Sequence, residues 1–217
     1  MDDRFSNKRY SPYLNSIVKR YLDVIVCLLL AVPAVLILLA ILPVVMVIDG
    51  RPALFFQRRV GKNGMEFVMP KIRTLKNHTC PNKPTCSYNI EAFTTKTGGF
   101  SRRHRIDELP QVFSVLTGKM SLVGPRPELP DVVKNYTAKE LKRLCAKPGI
   151  TGLWQIKASR SQPIHKNIRY DLYYLKHASL WLDIQILVET IPFVFKAKSR
   201  IFHEKNRLYP YDLSLSE

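Results

Sequence analysis

Residues 24–48 read Val-Ile-Val-Cys-Leu-Leu-Leu-Ala-Val-Pro-Ala-Val-Leu-Ile-Leu-Leu-Ala-Ile-Leu-Pro-Val-Val-Met-Val-Ile, with no charge anywhere in the run. As a straight helix this stretch would extend about 37 Å, more than the roughly 30 Å hydrocarbon core of a bilayer. A membrane segment follows. A secretory signal is a poor account of it: the run exceeds a usual h-region, lacks a small-x-small cleavage site at its end, and would leave a strongly basic product outside. Pro33 and Pro43 each remove a helical hydrogen bond, and Pro33 falls where a helix could fold back on itself. Both flanks are basic: Arg4, Lys8, Arg9, Lys19 and Arg20 precede the run, and Arg51, Arg58, Arg59, Lys62, Lys71, Arg73 and Lys76 follow it against the single acid Glu66. The positive-inside rule therefore places both ends on the cytoplasmic face. A re-entrant helix-break-helix meets that demand, provided protein or water serves the backbone groups freed at the break. On these grounds alone a single-pass anchor kinked at proline stays open.

The whole chain is 217 residues with a formal net charge of +17, a length that fits one domain or one domain plus an anchor. Such a charge attracts nucleic acid, acidic lipid head groups or phosphorylated substrates. Nucleic acid is set aside, because there is no helix-turn-helix pattern, RNA-binding aromatic motif or zinc finger, and the apolar run would be left unexplained. Cys27 lies in that run, Cys145 is alone, and Cys80 and Cys86 are close enough for a disulfide only if their loop avoids the reducing cytosol. The expected division is a basic segment and membrane hairpin over 1–50, a second domain over 51–200 and a tail over 201–217.

Outward from the membrane run, Leu54–Gln57 and Glu66–Met69 predict a hairpin closed by a Gly61–Gly64 turn. Residues 77–99 lack periodicity and read as a loop. Then comes Phe100–Pro127: Phe-Ser-Arg-Arg-His-Arg-Ile-Asp-Glu-Leu-Pro-Gln-Val-Phe-Ser-Val-Leu-Thr-Gly-Lys-Met-Ser-Leu-Val-Gly-Pro-Arg-Pro. Here an acidic pair, Asp107 and Glu108, sits in a basic field. A helix is expected to start at these carboxylates, with Asp107 as N-cap, Pro110 in the first turn, and Val112, Phe113 and Leu116 on one face. A carboxylate held by a helix N-terminus and flanking arginines stays ionised, and its neighbour can share Mg2+ with substrate phosphates. Asp107 could then attack phosphorus; the plainer alternative is a helix cap. Gly124–Pro127 is a stiff turn that fixes Arg126, by itself an ordinary surface charge but, one short connection after the acidic pair, suited to bidentate phosphate binding. Pro130–Cys145 predicts an amphipathic helix. Lys147–Gln155 is a Gly-punctuated basic turn whose backbone N–H groups could approach phosphate, or an ordinary loop closing on Trp154. Asp171 suits a substrate or a basic partner such as Arg169. The apolar Ile186–Phe195 followed by a basic 196–207 suits an interfacial amphipathic helix.

These motifs in this order resemble the bacterial sugar transferase family, the monotopic phosphoglycosyl transferases. The resemblance covers roughly residues 17–195 and rests on the Asp107-Glu108 and Gly124-Pro125-Arg126-Pro127 signatures. It extends to Arg58–Gly64, Lys147–Gln155, Asp171–Tyr174 and Ser179–Asp183. It implies an α+β fold, mostly helical and membrane-associated, with a re-entrant hydrophobic helix-break-helix, amphipathic interfacial helices and a small β-hairpin. It also implies transfer of a sugar 1-phosphate from a UDP-sugar to undecaprenyl phosphate through a covalent aspartyl phosphosugar, with release of UMP, as the first membrane step of surface glycan assembly. Asp107 and Glu108 would be catalytic and would hold Mg2+. Arg102, Arg126, Pro125, Pro127, Lys71, Arg73 and Lys147 would bind substrate or phosphate. Membrane lipids are implied partners, a homodimer is left open, and the bacterial inner membrane is the expected location, with the site on the cytoplasmic face. A non-catalytic, membrane-anchored scaffold for acidic lipids is the alternative. The chain departs from the family pattern at Val32, where a small hydroxyl residue is usual, and at Ile72, Arg105, Lys119 and Lys147.

Overall fold

The apolar run folds as part of one helix, α1 (Ile17–Asp49), started by Ser16, whose hydroxyl accepts from the Lys19 amide, and stopped by Gly50 at φ 78°. The computed structural model describes residues 10–76, 93–157 and 167–195, with side chains described only to 192 within the last stretch. Helix α1 carries both Pro33 and Pro43 inside it, so the expected break at Pro33 does not divide the run into two separate helices. It is long and apolar enough to cross a membrane. Leu29, Val32, Leu36 and Leu39 stand exposed along it. Each such side chain would forgo on the order of 2 kcal/mol in water, so lipid is the natural surrounding.

One stripe of α1 is nonetheless buried: Lys19, Asp23, Cys27, Ala34, Leu38 and Val45. Cys27 joins the main core with Met69, Val112, Val115, Leu122, Leu182 and Ile186, while Leu38 and Val45 pack with Ala53 and Ile72, flanked by Ile106 and Leu109. Both ends of the helix are also tied by polar bonds. Near the start, the buried Lys19 ammonium donates to Asp183 at 2.6 Å, to the Tyr174 hydroxyl at 3.0 Å and to the Val123 carbonyl at 3.1 Å. At the other end the Arg73 guanidinium donates to the carbonyls of Asp49, Gly50 and Arg51, and the Asp49 carboxylate accepts from the amides of Lys96 and Thr97.

The expected hairpin is present and longer than its sequence signal. Strands β1 (Leu54–Val60) and β2 (Glu66–Ile72) pair antiparallel from Leu54↔Ile72 to Val60↔Glu66. A one-turn 3-10 helix at Lys62–Gly64 closes it, with Asn63 and Gly64 at positive φ. Burial falls on both faces of the hairpin, Gln57 and its cross-strand partner Met69 on one and Val60 and Ile72 on the other, and the Val60 amide donates to the Glu128 carbonyl, tying the hairpin to the chain beyond the Gly-Pro-Arg-Pro turn.

Helix α2 (Gly98–Arg103) leads into the acidic pair. Two expectations about the following region are corrected. Asp107 is not a helix N-cap: it lies within a 3-10 turn, Ile106–Glu108, and α3 (Gln111–Leu116) starts only after Pro110. Proline favours this, since it is tolerated at the start of a helix, where no N–H partner is lost. The α3 face that packs inward is Val112 with Val115, and Phe113 points out. Residues 130–145 are likewise not one helix. They form α4 (Pro130–Val133), α5 (Ala138–Leu141) and a 3-10 turn, Lys142–Cys145. Thr137 restarts the chain with a reciprocal capping box to Glu140, a strong local start signal that competes with continuation of α4.

Strand β3 (Ser121–Val123) pairs in parallel with β4 (Gly149–Thr151), in register Ser121↔Gly149 and Val123↔Thr151. Glycine is required where these segments meet: a Cβ on Gly124 would collide with the Lys147 carbonyl, and one on Gly152 would collide with the Gly124 carbonyl. Helices α6 (Leu153–Lys157), α7 (Ile168–His177) and α8 (Leu180–Phe195) complete the body. The Cys80–Cys86 segment, the basic stretch 196–207 and the tail 201–217 lie outside the described residues, as do Arg4, Lys8 and Arg9.

Candidate active site

The acidic pair stands at the turn between α2 and α3, reached by cations from three parts of the chain. Arg105 enters the turn with φ 55°, an uncommon conformation for a residue with a Cβ, and donates from Nη1 to Glu108 Oε2 at 3.3 Å. Arg126, on the Gly-Pro-Arg-Pro turn, places Nη1 3.7 Å from Glu108 Oε1. Pro125 and Pro127 are buried on either side of the partly exposed Arg126, so they anchor the turn while its guanidinium faces outward. Glu108 is thereby held between two guanidinium groups.

Asp107 is partly buried in the same turn, and its carboxyl is pushed up to about 6. Burial is the main cause and the neighbouring Glu108 adds to it, while Lys71 and Arg102 pull the other way. The sequence expectation of a fully ionised carboxylate is thus modified, because desolvation outweighs the flanking cations. Lys71, on β2, is pushed down to about 8 by burial and by Arg59 and Arg126, against the opposing pull of Glu108 and Asp107. The two groups face each other electrostatically with their titration ranges drawn together, an arrangement that recurs where proton and phosphate chemistry is done.

Sequence reasoning missed Arg59. Its guanidinium donates to Gln57 Oε1 at 2.7 and 3.1 Å and to the Pro127 carbonyl at 3.2 Å, and lies 3.5 Å from Glu128 Oε1. Burial and the nearby Arg126 push it down to about 10. The Arg58-Arg59 doublet was visible, but strand alternation, which sends Arg58 outward and Arg59 inward, was the only signal that could have separated the two.

Behind the Arg126 turn is a buried bracket. Arg143, 1% exposed, donates to Asp171 from Nε at 2.8 Å, to the Tyr136 hydroxyl at 2.8 Å and to the Arg126 carbonyl at 2.8 Å. Asp171 is therefore the partner of Arg143 rather than of Arg169, whose guanidinium lies over the Tyr170 ring. Arg143 links α7 to the backbone that carries Arg126, a positioning role that charge counting along the sequence does not reveal.

Arg73 and Lys147, also expected at the site, meet other groups as well. Arg73 bonds the carbonyls at the α1–β1 connection. Lys147 neighbours Arg20, Lys62 and Lys19 beyond the C-terminal end of α3, the end opposite Asp107. The glycine-rich turn is bonded to the Gly-Pro-Arg-Pro turn, with Gly149 N donating to the Pro125 carbonyl and Gly124 N donating to that of Thr151. For a metal, Asp107 and Glu108 offer two hard oxygen donors, and no group of three or more His, Cys, Asp or Glu side chains suited to a metal occurs among the described residues. Two adjacent carboxylates are a donor set of the kind magnesium uses, its other ligands coming from phosphate and water.

A family model described as bacterial sugar transferase matches residues 14–197. The galactosyl transferase CpsE of Streptococcus agalactiae is 36% identical over 198 residues, covering 86% of this chain and 44% of that protein. An uncharacterized sugar transferase, EpsL of Bacillus subtilis, is 37% identical over 181 residues, covering 81% of this chain and 86% of that one. A UDP-glucose:undecaprenyl-phosphate glucose-1-phosphate transferase of Xanthomonas campestris is 41% identical over 149 residues, covering 64% of this chain and 31% of that one. The chain thus spans less than half the length of CpsE and of the Xanthomonas protein, and most of the length of EpsL.

Proposed function

The chain belongs to the bacterial sugar transferase family, and from that premise we propose that it transfers a sugar 1-phosphate from a UDP-sugar to undecaprenyl phosphate. The observation that carries the reading is the partly buried Asp107 carboxyl beside Lys71 and Arg102, with Arg126 on the far side of Glu108. A diphosphate would meet cations there and a nucleophile of the right kind. An Asp107 carboxylate oxygen attacks the sugar-bearing phosphorus, the bond from that phosphorus to the bridging oxygen breaks, and UMP departs with the electron pair. An oxygen of undecaprenyl phosphate then attacks the phosphosugar phosphorus and returns Asp107 as a carboxylate. Mg2+ held by Asp107 and Glu108 would neutralise charge on the diphosphate. Arg126, kept in place by the Arg143 bracket, Lys71 and Arg102 bind phosphate oxygens, and the buried setting limits hydrolysis of the acyl phosphate.

The reading includes a place in the cell: the cytoplasmic face of the bacterial inner membrane, at the first membrane step of surface glycan assembly. It includes re-entrance of α1, with the direction change taken up as a bend within the continuous helix. Support comes from the two ends, since Lys19 and Asp49 are both bonded to the same body. Cysteines placed at Asn15 and Arg51 should react with an impermeant maleimide from the same side of the membrane. For the chemistry, purified protein with Mg2+, undecaprenyl phosphate and a panel of UDP-sugars should release UMP with one of them. Asp107→Asn should abolish that release, and an Asp107→Asn protein with full turnover would remove Asp107 from the mechanism.

A further inference from the structure

Lys147 was expected beside the phosphate site, yet its side chain lies in a different cluster, and that cluster has a use of its own. Three segments bring cations together where α1 begins. Lys147 Nζ and Arg20 Nη2 lie 3.7 and 3.9 Å from the point that a Cβ on Gly118 would occupy, so the two charges are close neighbours over the end of α3. Gly118 has φ 78°, which disfavours any side chain there and keeps that space open. Arg20 is committed: its guanidinium donates to the last carbonyls of α3, Val115 at 2.7 Å and Leu116 at 2.8 Å. Lys19 is committed to Asp183 at 2.6 Å, and Lys62, from the hairpin turn, donates to the neutral Asn15. The nearby Asp23 carboxylate is engaged by Ser121 and the Leu122 amide. Lys147 is half-buried and has no carboxylate within ion-pair distance among the described residues. Burial, Arg20, Lys62 and Lys19 disfavour its charge and outweigh the opposing pull of Asp23.

A half-buried ammonium surrounded by like charges is relieved by an anion, and the depth of the cluster says which one. Arg20 precedes the apolar run by four positions, roughly one helical turn or ~6 Å. Ile17 and Tyr21, on either side of Arg20 in the sequence, are more than half exposed. Apolar and aromatic side chains bordering a ring of cations mark the head-group level of a bilayer. We infer that Lys147, with Arg20 and Lys62 around it, forms a second anion site that takes the phosphate of an anionic phospholipid from the surrounding bilayer. This site is separate from the Asp107 centre. The inference rests on the membrane placement of α1 proposed above, but not on the transfer reaction.

The test measures lipid retention without any substrate. The full chain is reconstituted in nanodiscs of phosphatidylcholine with a minor share of phosphatidylglycerol, released into mild detergent, and examined by native mass spectrometry for lipids that stay bound. The wild type should retain phosphatidylglycerol above its share in the disc. Lys147→Gln should lower that enrichment about fivefold, the effect of ~1 kcal/mol for one cation at an anionic surface. Lys147→Arg should keep it, and an unchanged thermal transition in both variants separates loss of the site from loss of the fold. Equal enrichment in the wild type and Lys147→Gln overturns the assignment. So does release of the retained lipid by equimolar undecaprenyl phosphate but not by excess inorganic phosphate, since the occupant would then be the acceptor. UMP release, measured in parallel, reports on the transfer reaction independently.

Discussion

Replacing Asp107 by asparagine should stabilise the folded protein while removing its chemistry. The carboxyl is pushed from an ordinary 3.8 to about 6, and that shift is the net of burial and Glu108 against Lys71 and Arg102. A rise of that size, at ~1.4 kcal/mol per pH unit, gives an upper figure of about 3 kcal/mol by which ionised Asp107 destabilises the fold. The sign follows from the direction. Below the ordinary carboxylate range the acid is protonated in both folded and unfolded states and contributes nothing; as pH rises from 4 through 6 the unfolded chain ionises first, and stability is lost. The amide introduced by Asp107→Asn does not titrate, so the variant escapes that loss. For a domain of this size 1 kcal/mol moves Tm by about 2–4 °C, so Asp107→Asn should melt above the wild type at pH 8 by at most about 6–12 °C. At pH 4 the two should nearly coincide. Thermal unfolding of the detergent-solubilised pair across pH 4–8, without Mg2+ or nucleotide, checks this. A variant that melts below the wild type at pH 8, or a gap that does not change with pH, would refute the claim that Asp107 is held in a desolvated, functionally primed state.

Two further outcomes follow from the same geometry. UMP release by the wild type should rise with pH through about 6 as Asp107 ionises and fall through about 8 as Lys71 loses its proton; Lys71→Arg, which cannot deprotonate in this range, should keep the lower limb and lose the upper one in a pH–rate profile. In the bracket behind the site, Arg143→Met leaves Asp171 buried without its 2.7–2.8 Å partner and should cost about 3–5 kcal/mol, whereas Arg143→Met with Asp171→Leu should recover much of that loss in urea unfolding. A double variant no more stable than the single one would show that the tie to the Arg126 carbonyl, and not the charge pair, dominates.

The parts of this molecule that were legible in the sequence are those written in local chemistry. Val24–Ile48 shows its membrane character by composition, the hairpin shows itself by two short apolar stretches around Gly61–Gly64, and Asp107, Glu108 and Arg126 stand out because their motifs are contiguous. Asp107 and Pro110 both suit a helix start, so the sequence does not tell which begins α3; the chain uses Pro110 and leaves Asp107 on the 3-10 turn, where burial and the neighbouring Glu108 raise its carboxyl. The helix expected over 130–145 failed because apolar spacing alone does not register the Thr137–Glu140 capping box, which restarts the chain.

What could not be read were the pairings across long separations, and these decide what each basic residue does. Among a large excess of cations, sequence gives no means of telling Arg143, buried on Asp171 and the Arg126 carbonyl, from Arg169, lying over Tyr170. Nor does it separate Arg73, which binds the carbonyls that end α1, from Lys71 two residues earlier, which faces Asp107. On a strand such residues share a face, so alternation alone predicts equal roles. The difference arises from what approaches that face: the α1–β1 connection meets Arg73, and the α2–α3 turn meets Lys71. In the proposed site Arg73, bonded to the carbonyls at the end of α1, helps to place the hairpin as the acidic motif places Asp107, and a change at Asp49 or Arg73 should lower UMP release without touching substrate.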